Sequence, residues 1–287
     1  MKKIKVGQIV GRRSYQCDVL FRVIEIGNDG NALLYGEDYR LVADAPVEDL
    51  IVISDEERQL KKKRFKEKEE HCYYLFRQEK RLLRERNRYE TNDEYFEIRG
   101  RVLHIDGDSY FLKKCLELYD RLGVPVYGVH MSEKEMPNQI ASLLEMTQPD
   151  ILVITGHDSL KVRGESDDLK SYRHSKQFAD AVRIARRKFP KFDDLVIFAG
   201  ACQSHFETLI RAGANFASSP KRINIHALDP VYIAAKVSLS PFTEKIPLWD
   251  ILRNTITGEE GLGGIETKGL MRKGTPFIAN RGVGGFE

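Results

Sequence analysis

The sequence predicts an α/β fold: a mostly parallel sheet flanked by helices, preceded by a small β domain and a charged helical linker. Three patterns lead there. Past about residue 96, short β-branched apolar runs alternate with amphipathic stretches, the signature of buried parallel strands joined by crossover helices. The first residues instead form β segments separated by turn residues, and between the two regions lies a charged stretch with no Gly or Pro. The chain divides accordingly into a β domain at 1–54, a helical connector at 55–95 and an α/β domain at 96–287.

In the first region, Ile4 to Val10, Asp18 to Ile26, Asn31 to Tyr35 and Leu50 to Ile53 read as strands, with Asn28-Asp29-Gly30 as a turn. The opening "KVGQIVGRRSYQCDVLFRVIEI" resembles SH3-like barrels, a likeness of shape rather than function. From Ser54 to about Arg88 strong helix formers dominate, and Ser54 with Glu57 makes a capping box at the start. Leu60, Tyr74, Leu75, Leu82 and Leu83 supply a sparse apolar stripe, expected to dock this helix on a domain. The acidic Glu67, Glu69 and Glu70 interrupt the basic run from Lys61, which argues against a nucleic-acid arm.

In the α/β region the expected strands are Arg101 to Ile105, Pro125 to Val129, Asp150 to Ile154, Asp194 to Ala199 and Ile223 to Ala227. The expected helices are Ser109 to Leu122, Glu133 to Thr147, Ser175 to Lys188 and Ser204 to Ala212. The glycine-rich Gly258 to Gly264 lacks the strand and helix context of a phosphate loop and reads as an irregular flap.

Composition sets limits on function. A net charge of +3 gives no electrostatic case for nucleic acid, and no apolar run is long enough to span a bilayer. The basic N-terminus lacks the apolar core of a signal peptide, so a cytoplasmic protein is expected. The four cysteines, Cys17, Cys72, Cys115 and Cys202, show no metal-site or disulfide spacing, and neither metal nor cofactor is expected.

Ligands of parallel sheets bind beyond the carboxyl ends of the strands. Two of those ends are distinctive. One strand runs into Thr155-Gly156-His157-Asp158, the next into Gly200-Ala201-Cys202-Gln203-Ser204. If these strands are neighbours, Cys202 becomes a candidate nucleophile and His157 its base, with a helix N-terminus behind the thiol to favour its ionised form. The backbone N–H groups of Cys202 and Asp158 are candidates to receive the developing oxyanion. Taken singly, a cysteine or histidine at such a position is more often structural; Cys17, Cys72 and Cys115, in a hairpin and in helical runs, are read that way.

The run "ILVITGHDSL" followed by "VIFAGACQSHFETLIRAGANFASSPKRINIHALDP" resembles the YabG family of sporulation peptidases across essentially the whole chain. A more distant likeness is to the caspase, clostripain and gingipain group, which implies a caspase-like sheet. The resemblance implies a cysteine endopeptidase of the mother-cell cytoplasm, acting on spore coat and cortex-morphogenetic proteins and cutting after basic residues. It assigns Cys202 as nucleophile and His157 as base; Asp158 departs from the glycine usual after the histidine.

Arginine specificity needs a fixed carboxylate. Asp106 and Asp108 in "HIDGDS" or Asp229 in "HALDP" can supply it, with Asp106 preferred; Asp108 and Asp229 also suit helix starts. Ser218 in "NFASSP" can lie on a substrate edge or in an ordinary loop. Two other functions compete: an amidotransferase-type hydrolase using His226 as base, and a non-enzymatic coat scaffold.

Overall fold

The computed structural model describes residues 4–88, 96–161 and 164–274. Its elements, in chain order, begin with five strands, β1 (Ile9–Arg12), β2 (Phe21–Ile26), β3 (Asn31–Gly36), β4 (Val42–Pro46) and β5 (Leu50–Val52). Then follow α1 (Asp55–Arg88), β6 (Phe96–Ile98), β7 (Val102–Asp106), α2 (Ser109–Leu122), β8 (Val126–His130), α3 (Met136–Thr147) and β9 (Ile151–Thr155). The rest are α4 (Ser175–Lys188), β10 (Val196–Ala199), α5 (Phe206–Ala212), β11 (Phe216–Ser218), α6 (Asp229–Leu239), β12 (Lys245–Ile246), α7 (Leu248–Leu252), β13 (Leu262–Gly264), β14 (Thr267–Lys268) and β15 (Arg272–Gly274).

Two sheets organise the molecule. The first is antiparallel, in the order β4-β3-β2-β1-β5. It contains a strand the sequence did not announce: β4 reads Val-Ala-Asp-Ala-Pro, too polar and too proline-bounded for the pattern. The second sheet has the order β13-β11-β10-β9-β7-β8, parallel from β8 to β11. Its edge strand β13 is antiparallel to β11, with Ala217 opposite Gly263. This is a correction to the expected flap at Gly258 to Gly264: glycine hides a strand whose Leu262 is fully buried. Helices α2 and α6 contribute to the apolar cluster on one face, and α3, α4 and α5 to that on the other. The strand order reverses between β7 and β9, and the crevice at such a reversal lies beyond the ends of those two strands.

Helix α1 starts as the sequence predicts, with the Glu57 N–H donating to Ser54 Oγ at 3.2 Å. Its docking face differs from the expected stripe. Leu60, Tyr74, Leu75 and Leu82 are exposed, whereas Cys72 and Phe76 are buried and Phe65 stacks on His226; the Leu83 side chain and the connector's end near 95 lie outside the described residues. The seam runs Phe65, Glu69, Cys72, Phe76, Glu79, a helical spacing of four and three. Two of its members are glutamates. Glu69 sits 3.3 Å from His226, and Glu79 pairs with Lys236 at 2.6 Å, so a search for apolar periodicity passes over the face.

The expected strand at Ile223 to Ala227 is not formed: the segment is irregular and ends in a turn outside any sheet. The strand beside β10, on the side away from β9, is β11. The carbonyls of the irregular segment serve other partners than a sheet: Ile223 O accepts from Gln203 N–H, Ile225 O from the Cys202 thiol, and Ala227 O from Arg40. The apolar cluster runs without a break from Val10, Phe21 and Leu34 of the first sheet to Val153, Phe198 and Val231 of the second region. Among the described residues no helix is long and apolar enough to cross a membrane.

Candidate active site

Strands β9 and β10 are parallel neighbours with Ile154 opposite Ala199, so the histidine and cysteine turns leave adjacent strand ends. Gly200 opens the cysteine turn at φ 112°, and a Cβ there would come within 2.3 Å of Ser218 Oγ. Both reasons demand glycine. The turn is then held from two sides: Ala201 N–H donates to Ser204 Oγ at 2.9 Å, and Ser218 Oγ donates to the Ala201 carbonyl at 2.8 Å. Cys202 is fully buried, its thiol directed at Ile225 O 3.6 Å away. Burial pushes this thiol up to about 12.

The helix after it, α5, begins only at Phe206, with the His205 ring accepting from Thr208 N–H as its cap. The expected start at Ser204 therefore moves two residues on, because the Ser204 hydroxyl is committed to Ala201 and Asp158.

Asp158 binds the two turns together. Its buried carboxylate accepts from Ser159 N–H and His174 N–H, each at 2.9 Å, from Ser204 Oγ at 2.8 Å and from Ser175 Oγ. Burial raises its pKa in spite of these donors.

His157 lies between two carboxylates: Nε2 is 3.2 Å from Asp108 and Nδ1 is 3.4 Å from Glu133. Burial alone would lower its pKa, but hydrogen bonding to Asp108 and then Glu133 outweighs it and raises the group to about 9. The imidazole is thus a cation at neutral pH, with both nitrogens occupied. Among the described residues no hydrogen bond joins it to Cys202. Asp108 carries two functions through separate oxygens, capping α2 at Tyr110 and Phe111 with one and facing His157 with the other. Glu133, just past the end of β8, also accepts the His157 N–H at 2.7 Å; the sequence reading placed it only at the start of a helix and missed this role.

Asp106, the last residue of β7, is fully buried and holds the guanidinium of Arg40, with Nε at 3.0 Å and Nη2 at 2.5 Å. Burial would raise its pKa, but the Arg40 charge and then His104 hold it well below the ordinary carboxylate range. Asp229, also fully buried, spends its carboxylate on the N–H groups of His226, Ile256 and Thr257. It fixes the start of α6. Ser218 supports the cysteine turn as described. His226 caps locally through Leu228 N–H and faces Glu69 and Phe65.

The first sheet covers these strand ends. The Tyr35 ring lies 5.0 Å from the His157 ring, and Leu41 forms a parallel bridge with Asp158. A cleft of about 400 Å³ remains there, lined by Tyr35, Val42, Asp108, Glu133, His157 and Arg173. His104, Asp106 and Cys115 are close enough together to hold an ion. That space is filled by the Arg40 guanidinium, whose Nη2 also lies 3.2 Å from Cys115 Sγ, so the cluster fits a guanidinium rather than a metal.

The family model described as YabG peptidase U57 matches residues 5–276 of the chain. The chain is 53% identical to the sporulation-specific protease YabG of Bacillus subtilis (strain 168), over 97% of its own length and 100% of that protein's. No solved structure matches it.

Proposed function

Because the chain belongs to the YabG peptidase U57 family, and is therefore a peptidase, we propose that it is a sporulation-associated cysteine endopeptidase cutting after arginine through Cys202 and His157. The observation that carries this reading is the Asp158–Ser204 hydrogen bond between neighbouring strand ends, which locks the histidine and cysteine turns side by side.

In the reaction, the Cys202 sulfur bonds to the scissile carbonyl carbon and the C–N bond breaks. His157, held protonated by Asp108 and Glu133, gives its proton to the departing amine and takes the thiol's in exchange; water then hydrolyses the thioester. The backbone N–H groups of Cys202 and Asp158 receive the oxyanion. This reading makes His157 first an acid, since its two carboxylate neighbours occupy the nitrogens a base would need free. Asp106 supplies the carboxylate of the arginine pocket, a role favoured over Asp229 because Asp106 already binds a guanidinium, that of Arg40, whereas Asp229 accepts from backbone donors. Ser218 acts through the cysteine turn.

The wider proposal is a caspase-like sheet with an SH3-like β module at 1–54, a connector at 55–95 and a peptidase region at 96–287. Its substrates are spore coat and cortex-morphogenetic proteins in the mother-cell cytoplasm. The amidotransferase alternative loses support because His226 is occupied by Glu69 and Phe65.

The test is incubation of a coat-protein substrate with wild type, Cys202→Ala and His157→Ala chains, with new termini mapped by mass spectrometry. Wild type should yield ends after arginine, and both variants should yield none. Cleavage surviving in folded Cys202→Ala overturns the assignment and, for the coat scaffold alternative, absence of cleavage by wild type supports it.

A further inference from the structure

The largest side chain with almost no solvent exposure belongs to an arginine far from the peptidase region in sequence. Arg40 sits in the turn between β3 and β4 and is 2% exposed. Its guanidinium reaches across to the second region and meets a complete set of partners: Asp106 through Nε and Nη2, Ala227 O through Nη1 at 2.7 Å, and Cys115 Sγ at 3.2 Å. The Phe111 ring lies 5.2 Å from its central carbon. Such a planar, donor-matched cavity selects guanidinium over ammonium.

Burying a charged group is costly, and an isolated β module gains nothing from projecting an arginine outward. The residues beside it are also placed suggestively. Leu41 lies along Asp158, next to the proposed histidine, while Tyr35 covers the His157 ring. Around Arg40 itself the chain closes tightly, with Leu41 N–H donating to Tyr39 O at 2.8 Å. A peptide bond in so tight a turn is not presented in the extended form that β-type peptide recognition uses.

We propose that the β3–β4 turn is an intramolecular occupant of the arginine pocket: Arg40 fills the site that receives a substrate's arginine, and the β module competes with substrate. This rests on the reading of Asp106 as the arginine-receiving acid. In this arrangement Leu41 of the same turn bridges Asp158, and Tyr35 of the preceding strand lies against His157, so the β module stands beside the histidine turn while Arg40 fills the pocket. Substrate enters only when the turn leaves.

The experiment uses full-length Arg40→Ala and Arg40→Gln chains, with folding checked by circular dichroism; Arg40→Gln keeps an amide donor for Asp106 should the alanine variant fail to fold. N-acetyl-arginine amide is titrated against N-acetyl-citrulline amide, its neutral isostere, while the melting temperature is followed. The variants should be stabilised by the arginine probe and not by the citrulline probe, wild type by neither, and the response should vanish when Asp106→Asn is added. A folded variant that does not distinguish the two probes overturns the proposal.

In parallel, an arginyl fluorogenic peptide is supplied to each chain. The Arg40 variants should turn it over on the order of tenfold or more faster than wild type, since the competent state no longer has to displace the turn. Measurable turnover that is no faster than wild type overturns the proposal as well. Turnover that persists in Cys202→Ala, or that is absent from every chain, instead sinks the assignment of Cys202. The probe titration, which needs no chemistry at sulfur, then decides the occupancy alone.

Discussion

Asp158 joins the histidine and cysteine turns through its side chain. It gathers donors from three separate segments, at Ser159, His174 with Ser175, and Ser204, so the two turns are joined by a carboxylate. Asp158→Ala strands several buried donors at once and should cost roughly 3 kcal/mol or more of stability, read as a fall in the urea midpoint. His157 carries a pH signature. Its folded pKa of about 9 lies above the ordinary imidazole value of 6.5, so its contribution is complete below about pH 6.5 and is lost as pH rises through 9. The loss should approach about 3 kcal/mol between pH 6 and 10. Urea unfolding of wild type and His157→Asn at those pH values checks it: the slope should be present in the first and absent in the second. Cys202, buried and with a raised pKa, should react with iodoacetamide in the native chain more slowly than the partly exposed Cys17, as peptide mapping of the labelled sites would show. Cys202 and His157 were legible as candidates because each sits in the turn that follows an apolar strand. Glu133 was not, since one acid after a strand end looks like any surface glutamate until its fold partner is known.

Among the elements, α2 and α4 begin and end where the sequence places them, because each has a clear apolar face and a stop signal. Failures share a physical cause: the stabilising interaction was not apolar periodicity. Strand β13 is built on glycines that fit against Phe206 and Phe216, and the INIHA segment is held by side chains that reach its carbonyls. Helix α1 is the clearest case, since its seam mixes Phe76 with Glu69 and Glu79. Phe76→Ala should therefore cost about 3 kcal/mol or more, whereas Leu82→Ala, on an exposed position, should stay within about 0.5 kcal/mol. Chemical denaturation of the two variants separates them; equal losses would mean the helix docks by another face.

For the molecule as a whole, the apolar cluster shared by the two sheets predicts one cooperative transition rather than stepwise loss of the β module. Trp249 in α7 and a fluorophore attached at Cys17 report from the two regions. Their urea curves should superimpose, and separated midpoints would show that the module unfolds alone. This coupling was hidden in the sequence because Arg40 and Asp106 are 66 residues apart and nothing local marks them as partners. The same connection sets how the proposed plug and the histidine and cysteine turns meet in time. Helix α1 spans about 50 Å at 1.5 Å per residue and joins them covalently, so the local concentration of Arg40 at Asp106 is fixed by geometry and not by the amount of protein. Release of the turn is then a first-order event, and any lag before cleavage begins should keep the same length when the preparation is diluted.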